Sequence, residues 1–122
     1  MKAVQVVKPN DLRIIDMEKP VIDEKNNVLV KIAASGICGS DVGIYLGTNA
    51  AATYPRVIGH EIVGYVVEVG ESAKKVKVGD RVIIDQVVPC GHCYACRKGR
   101  PNVCGDLHVR GVHIDGGYRE YM

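Results

Sequence analysis

Gly59-His60-Glu61-Ile62-Val63-Gly64 is the stretch whose reading decides this chain, together with Gly36-Ile37-Cys38-Gly39-Ser40-Asp41 upstream of it. Between them they offer a thiolate, an imidazole and a carboxylate, three ligand types for a zinc ion that does chemistry. A lone cysteine is usually a small buried hydrophobe, and a satisfied core histidine is common, so neither residue carries the reading by itself. Their setting does. Cys38 lies between two glycines at the end of the apolar run Val28-Leu29-Val30-Lys31-Ile32-Ala33-Ala34, and His60-Glu61 follows Gly59 at the start of another apolar run. Ser40 and Asp41 add a hydroxyl and a carboxylate, suited to proton transfer and to supporting a ligand from behind.

Outward from that pair the chain reads as strands and turns. Residues 2–8 and 11–17 form a hairpin around Pro9-Asn10-Asp11, its second arm having one buried face. Lys19-Pro20 opens a loop, and Asn26-Asn27 is a turn signal before a third strand over residues 28–34. Ser40 or Asp41 caps a short helix that ends at Tyr45 or Leu46. The small polar residues 48–54 form a loop placed to cover a site. Residues 62–69 are a strand in which Gly64 marks a bend or a close backbone approach. Residues 81–88 read as one apolar strand, and residues 109–112 and 118–122 as short strands around the Gly116-Gly117 turn. No segment repeats, and none is of low complexity.

Composition bounds the rest. The 122 residues are one domain's worth, 47% hydrophobic with 14 Gly, no Phe and no Trp, so Val, Ile, Leu and Tyr must fill the core. A net charge of +2 with one small basic cluster, Arg97, Lys98 and Arg100, argues against a nucleic-acid binder. No apolar run approaches the roughly 18–20 residues of a membrane span, and the N-terminus lacks signal-peptide architecture. An odd count of five cysteines without an export signal favours metal binding over disulfides. These features place the protein in the cytoplasm. The chain stops inside a strand, at Glu120-Tyr121-Met122, which points to truncation.

The second cysteine group is Cys90-x2-Cys93-x2-Cys96-x7-Cys104. Four thiolates give zinc a closed tetrahedral site with no open position, and so a structural role. Such a site holds together a lobe, about residues 89–105, with little core of its own. The rival is an iron–sulfur cluster, but its C-x2-C-x2-C run continues with x3-C-P. Here seven residues intervene and Gly105 follows. His92, between two ligands, reads as a surface residue, with a ligand role as the alternative.

Gly59-His60-Glu61-x-x-Gly64 resembles the signature of the zinc-dependent medium-chain alcohol dehydrogenases. The segment from Gly36 to Asp41, the link from Val69-Gly70 to Val78-Gly79-Asp80-Arg81-Val82 and the four-cysteine spacing are similar to that family too. Gly111-Val112-His113-x-Asp115-Gly116-Gly117-Tyr118-x-Glu120-Tyr121 resembles its polyol, sugar-acid and threonine dehydrogenase branch. The resemblance runs through essentially all 122 residues in order. It implies a mainly β fold, a GroES-like, partly open β-barrel with short helices and a zinc lobe, acting as a catalytic domain over residues 1–122.

Carried over residue by residue, the resemblance makes Cys38 and His60 ligands of a catalytic zinc, with Glu61 a ligand or near neighbour. Ser40 becomes the proton acceptor, and Asp41 the residue that orients His60. Zinc would lower the pKa of an alcohol, Ser40 would take its proton, and hydride would pass to NAD(P). No G-x-G-x-x-G follows a strand here, so no cofactor-binding residue is assigned and the Rossmann domain is expected outside this chain, with the remaining zinc ligand. Gly43 stands where many relatives carry a histidine that passes the proton on. Tyr45, residues 48–54 and His113 are candidate substrate walls. A small-molecule alcohol is the expected partner, and the full-length enzyme is expected to be a homo-oligomer. The alternative is a stand-alone zinc-binding module of the same fold with no activity.

Overall fold

A computed structural model describes residues 1–23 and 27–122. Of the turn read at Asn26-Asn27, Asn26 lies outside the described residues; the carbonyl of Asn27 accepts the Gly70 N–H at 2.7 Å. The elements are β1 (Lys2–Lys8), β2 (Asp11–Asp16), β3 (Val28–Gly36), α1 (Gly39–Leu46), β4 (Arg56–Val57), β5 (Glu61–Val69), β6 (Arg81–Ile84), β7 (Val87–Val88), α2 (Tyr94–Arg97), a 3-10 turn over Pro101–Val103, and β8 (His108–Val109).

The strands form antiparallel sheets in the orders β2-β1-β4, β3-β5-β6 and β7-β8. The last residues tie the first two sheets together. Ala3 bridges to Arg119 and Lys31 to Tyr121. The Val4 N–H donates to Tyr118 O at 2.7 Å, and Val30 and Met122 exchange hydrogen bonds of 2.7 and 2.9 Å. Among the described residues β2 and β6 are paired on one side only. The result is the mainly β, partly open GroES-like barrel with two short helices that the sequence led us to expect.

β5 shows how the sequence does this. Ile62, Gly64 and Val66 point inward while Glu61, Val63 and Tyr65 point out, the period-2 pattern of a strand with one buried face. Gly64 meets β3 so closely that an added Cβ would collide with the Lys31 carbonyl oxygen and lie 2.5 Å from Val30 Cγ1, the close approach read from the sequence. Ile62 and Val66 are about 1% exposed, and each such side chain contributes on the order of 1.5–3 kcal/mol. Val6, Ile44, Ile58 and Val112 form a second buried cluster, with Tyr45 and Tyr54 packed on it. Ile44 thereby fixes α1 against the barrel.

Several assignments differ from the sequence reading, among them residues 118–122, which make isolated bridges at Arg119 and Tyr121 in place of a strand. The apolar run 81–88 is two strands, because Asp85 Oδ1 accepts the Val87 N–H at 2.9 Å and turns the chain. β6 then pairs with β5, and β7 with β8. The stretch 109–112 is mostly a turn: the N–H groups of Val112 and His113 both donate to Val109 O, at 3.1 and 2.9 Å. Finally, the helix is capped neither by Ser40 nor by Asp41. Cys38 is its N-cap, and Asp41, at the third helical position, reaches back to accept the Cys38 N–H at 2.9 Å, as the acidic residue of a capping box does.

Candidate metal centre

β3 and β5 run antiparallel with Gly36 opposite Glu61. That register brings the end of β3, and with it Cys38, beside the start of β5, preceded by His60. The Cys38 thiol, a ring nitrogen of His60 and a Glu61 carboxylate oxygen lie within 4.8 Å of one another. The thiol and imidazole are partly buried and the carboxylate is exposed, so the group opens to one side. Glu61 lies directly against the Cα of Gly36, where any side chain would displace it. Soft, borderline and hard donors within one ion's reach fit zinc.

Asp41 organises the group from behind. It is 3% exposed, and its Oδ2 accepts the Cys38 N–H at 2.9 Å and the Tyr118 hydroxyl at 3.1 Å. Its Oδ1 accepts the Gly59 N–H at 3.2 Å and stands 3.5 Å from His60 Nδ1. That last distance is long for a hydrogen bond, and the buried Nδ1 has no closer polar partner. On the other side of the ring Nε2 faces Ser40, whose exposed Oγ lies 3.3 Å away.

Gly59 makes the approach. Its φ of 93° is the left-handed conformation that L side chains avoid, and the Tyr118 ring fills the place a Cβ would occupy. The Tyr118 hydroxyl sits within reach of both Gly36 O (3.0 Å) and Asp41. Burial, reinforced by the Asp41 charge, pushes its pKa well above the ordinary tyrosine value, so it stays a proton donor. The sequence reading placed Tyr118 in a strand and missed this role; the Gly-Gly-Tyr run was the available signal.

In the lobe, Cys90, Cys93, Cys96 and Cys104 bring their sulfurs within 4.8 Å of one another. All four are free thiols. Cys93 Sγ and Cys104 Sγ are 3.8 Å apart, close to the roughly 3.8 Å edge of a tetrahedron with Zn–S bonds of about 2.3 Å. Backbone N–H groups of Cys90, Cys93 and Asp106 point at the sulfurs at 3.3–3.4 Å. Backbone N–H groups of Cys96 and Gly105 hold the Cys93 thiol down, to about 6. Desolvation, then the neighbouring thiols, push Cys96 up, to about 12. Four thiolates this close need a cation, and zinc fits. His92 is exposed, with Nδ1 2.9 Å from Cys90 O, outside the sulfur cluster.

The candidate walls are largely committed elsewhere. The Tyr54 hydroxyl donates to Ile44 O, Thr53 Oγ1 accepts from Arg56, and His113 Nδ1 accepts the Val109 N–H at 2.9 Å. Tyr45 packs on the core.

The barrel thus carries one open donor group and one four-sulfur lobe. The chain belongs to the alcohol dehydrogenase GroES-like domain family, whose pattern matches residues 24–122. It is 52% identical over 121 residues to the starvation-sensing protein RspB of Escherichia coli K12, covering 99% of this chain and 35% of that protein. It is 39% identical over 121 residues to D-arabinitol dehydrogenase 1 of Uromyces fabae, covering 99% of this chain and 34% of that protein. L-galactonate-5-dehydrogenase of E. coli K12 is 40% identical over 115 residues, 94% of this chain and 34% of its own length. The structure of the alcohol dehydrogenase rspB from E. coli CFT073, complexed with NADH, superposes with a TM-score of 0.89 at 52% identity, over all of this chain and 35% of that one. The chain thus spans about a third of the length of these relatives. Among the described residues no helix is long and apolar enough to cross a membrane.

Proposed function

We propose that residues 1–122 are the catalytic domain of a zinc- and NAD(P)-dependent dehydrogenase that oxidises a secondary alcohol of a polyol, sugar acid or hydroxy amino acid. The observation that carries this reading is the convergence of Cys38, His60 and Glu61, with Ser40 Oγ 3.3 Å from His60 Nε2. A zinc held by these three residues supplies the Lewis acidity that lowers an alcohol's pKa, as it lowers that of water toward about 7. The four-cysteine lobe holds a second zinc whose role is structural.

Ser40 is the proton acceptor. Its hydroxyl is exposed beside the donor group and can hand the proton outward. Gly43 offers no side chain to extend that path; its carbonyl caps the helix end by accepting the Thr48 N–H at 2.9 Å. Asp41, buried and held by three donors, fixes the imidazole and the Cys38 amide in one geometry. Exposed Glu61 stands on the open side, where a substrate approaches.

The nucleotide is assigned to sequence outside these 122 residues, which carry no glycine-rich phosphate turn after a strand. The NADH complex of the rspB structure supports the cofactor class. The arabinitol and galactonate named for two relatives support the substrate class. The test is a comparison of kcat/KM on polyols, aldonic acids, threonine and simple aliphatic alcohols, with this chain joined to its nucleotide-binding half. A site that bonds hydroxyls rejects analogues lacking them, so the hydroxylated substrates should lead. A preference for aliphatic alcohols would overturn the substrate class.

A further inference from the structure

Gly116-Gly117-Tyr118 forms a strut along the run that delivers His60. The N–H groups of Gly116, Gly117 and Tyr118 donate to Val57 O, Gly59 O and Ile58 O, at 2.7, 2.8 and 3.0 Å. A Cβ on Gly116 would collide with Gly59 O, and one on Gly117 with Ile62. On the other side the strut is tied to β1, whose Val4 N–H donates to Tyr118 O at 2.7 Å. The Tyr118 side chain thus reaches the candidate metal centre from a third segment, separate from the two that carry Cys38, His60 and Glu61.

Its hydroxyl meets the Cys38 loop on both flanks. Gly36 O, before the thiol, is 3.0 Å away, and Asp41 Oδ2, after it, is 3.1 Å away. The same Oδ2 accepts the Cys38 N–H at 2.9 Å, while Oδ1 accepts the Gly59 N–H at 3.2 Å and stands 3.5 Å from His60 Nδ1. The Cys38 and Gly59 amides belong to the stretches that carry the donors and move with them. Tyr118 does not, so its hydroxyl references the Asp41 carboxylate to the barrel.

Packing alone leaves the hydroxyl unexplained. A phenylalanine ring would fill the place over Gly59 equally well, with no polar atom to satisfy. A partly buried hydroxyl is kept at a cost unless it is bonded, and here both acceptors adjoin the Cys38 loop. Its bond to a buried carboxylate is charge-assisted, in surroundings where such bonds are strong. On the reading of Cys38, His60 and Glu61 as zinc ligands, we propose that the Tyr118 hydroxyl is a positioning group for that site. It holds Asp41, and through Asp41 the Cys38 loop and the His60 ring, in the arrangement the metal needs.

Chelator competition on the full chain, with the lobe zinc in place, tests this for the wild type, Tyr118→Phe, Asp41→Ala and the double variant. Each variant is first checked for a cooperative melting transition. Tyr118→Phe should weaken zinc binding at the Cys38 group by about 2–10-fold, the worth of one hydrogen bond. Added to Asp41→Ala, it should change the affinity by less than about twofold, because the two act as one unit. Cobalt(II) at the Cys38 group, with zinc in the lobe, reports ligand geometry through its visible bands, and those should shift in Tyr118→Phe. A residue that only packs would lower the melting temperature and leave affinity and bands as they were. If Asp41→Ala does not melt cooperatively, the bands and affinity of Tyr118→Phe decide alone. A wild-type chain that binds no zinc at this group overturns the proposal together with the function it rests on. Wild-type binding with unchanged affinity or unchanged bands in Tyr118→Phe, or an equal loss with and without Asp41, overturns the role of Tyr118 alone.

Discussion

Asp41 Oδ1 stands 3.5 Å from His60 Nδ1 while the same carboxylate accepts the Cys38 N–H. One buried side chain therefore touches the backbone of one candidate ligand and the ring of another, 22 residues apart in sequence. Asp41→Asn should weaken zinc binding at the Cys38 group by about 10–100-fold, the usual effect of losing a residue that orients a ligand. It should also cost about 1–3 kcal/mol of stability, because three donors lose a charged acceptor. Chelator competition and urea denaturation measure the two effects, and unchanged metal affinity would remove Asp41 from the site.

Gly59→Ala should be more damaging than an ordinary surface change. The residue has φ 93°, and an added Cβ would lie 2.5 Å from Tyr118 Cε1. Backbone strain of this kind costs about 1–3 kcal/mol, and the displaced ring would loosen Asp41 as well. Denaturation curves should show a loss in that range or above it; a neutral variant would mean that the Gly59–Tyr118 contact does not hold the site.

The lobe should carry zinc independently of the rest of the chain's chemistry, since its four ligands are local. Elemental analysis should find one zinc per chain that resists dialysis, lost when Cys104 is replaced by serine. Iron in place of zinc, or a disulfide among these cysteines in fresh reduced protein, would contradict that.

Residues 1–122 alone should not reduce NAD in the presence of an alcohol. Bringing hydride donor and acceptor together supplies much of such a rate, and no nucleotide-binding turn is present here. Alcohol-dependent NADH formation by these residues alone would refute the assignment of the cofactor to other sequence.

The fold and both donor groups were legible because their signals are local. The apolar run over residues 62–69 with Gly64 in it, the cysteine spacings, and the glycines around Cys38 and His60 are all read within a few residues. What escaped depends on partners far apart in sequence. Tyr118 reaches Asp41 across 77 residues, and the Gly-Gly-Tyr run beside it does not say which residue it meets. The break at Asp85-Gln86 hid in an apolar run, because periodicity cannot register a side chain that turns its own backbone. Cys38 as the helix cap was missed for a similar reason. The preferred capping residue, Asp41, acts from three positions further on. The polar residues between 48 and 54 looked available for substrate, yet Thr53 and Tyr54 are bonded to Arg56 and to Ile44 O.

The central claim is that Cys38, His60 and Glu61 hold a second zinc, more weakly than the lobe holds its own, because this chain gives it three ligands, one of them exposed. The most direct measurement is metal content by elemental analysis during a timed chelator challenge, for the wild-type chain, Cys38→Ser and Cys104→Ser. The account predicts two zincs in the loaded wild type, one leaving early and one late, with Cys38→Ser missing the early one and Cys104→Ser missing the late one. Two zincs of equal chelator resistance, or a Cys38→Ser chain that still holds both, would contradict it.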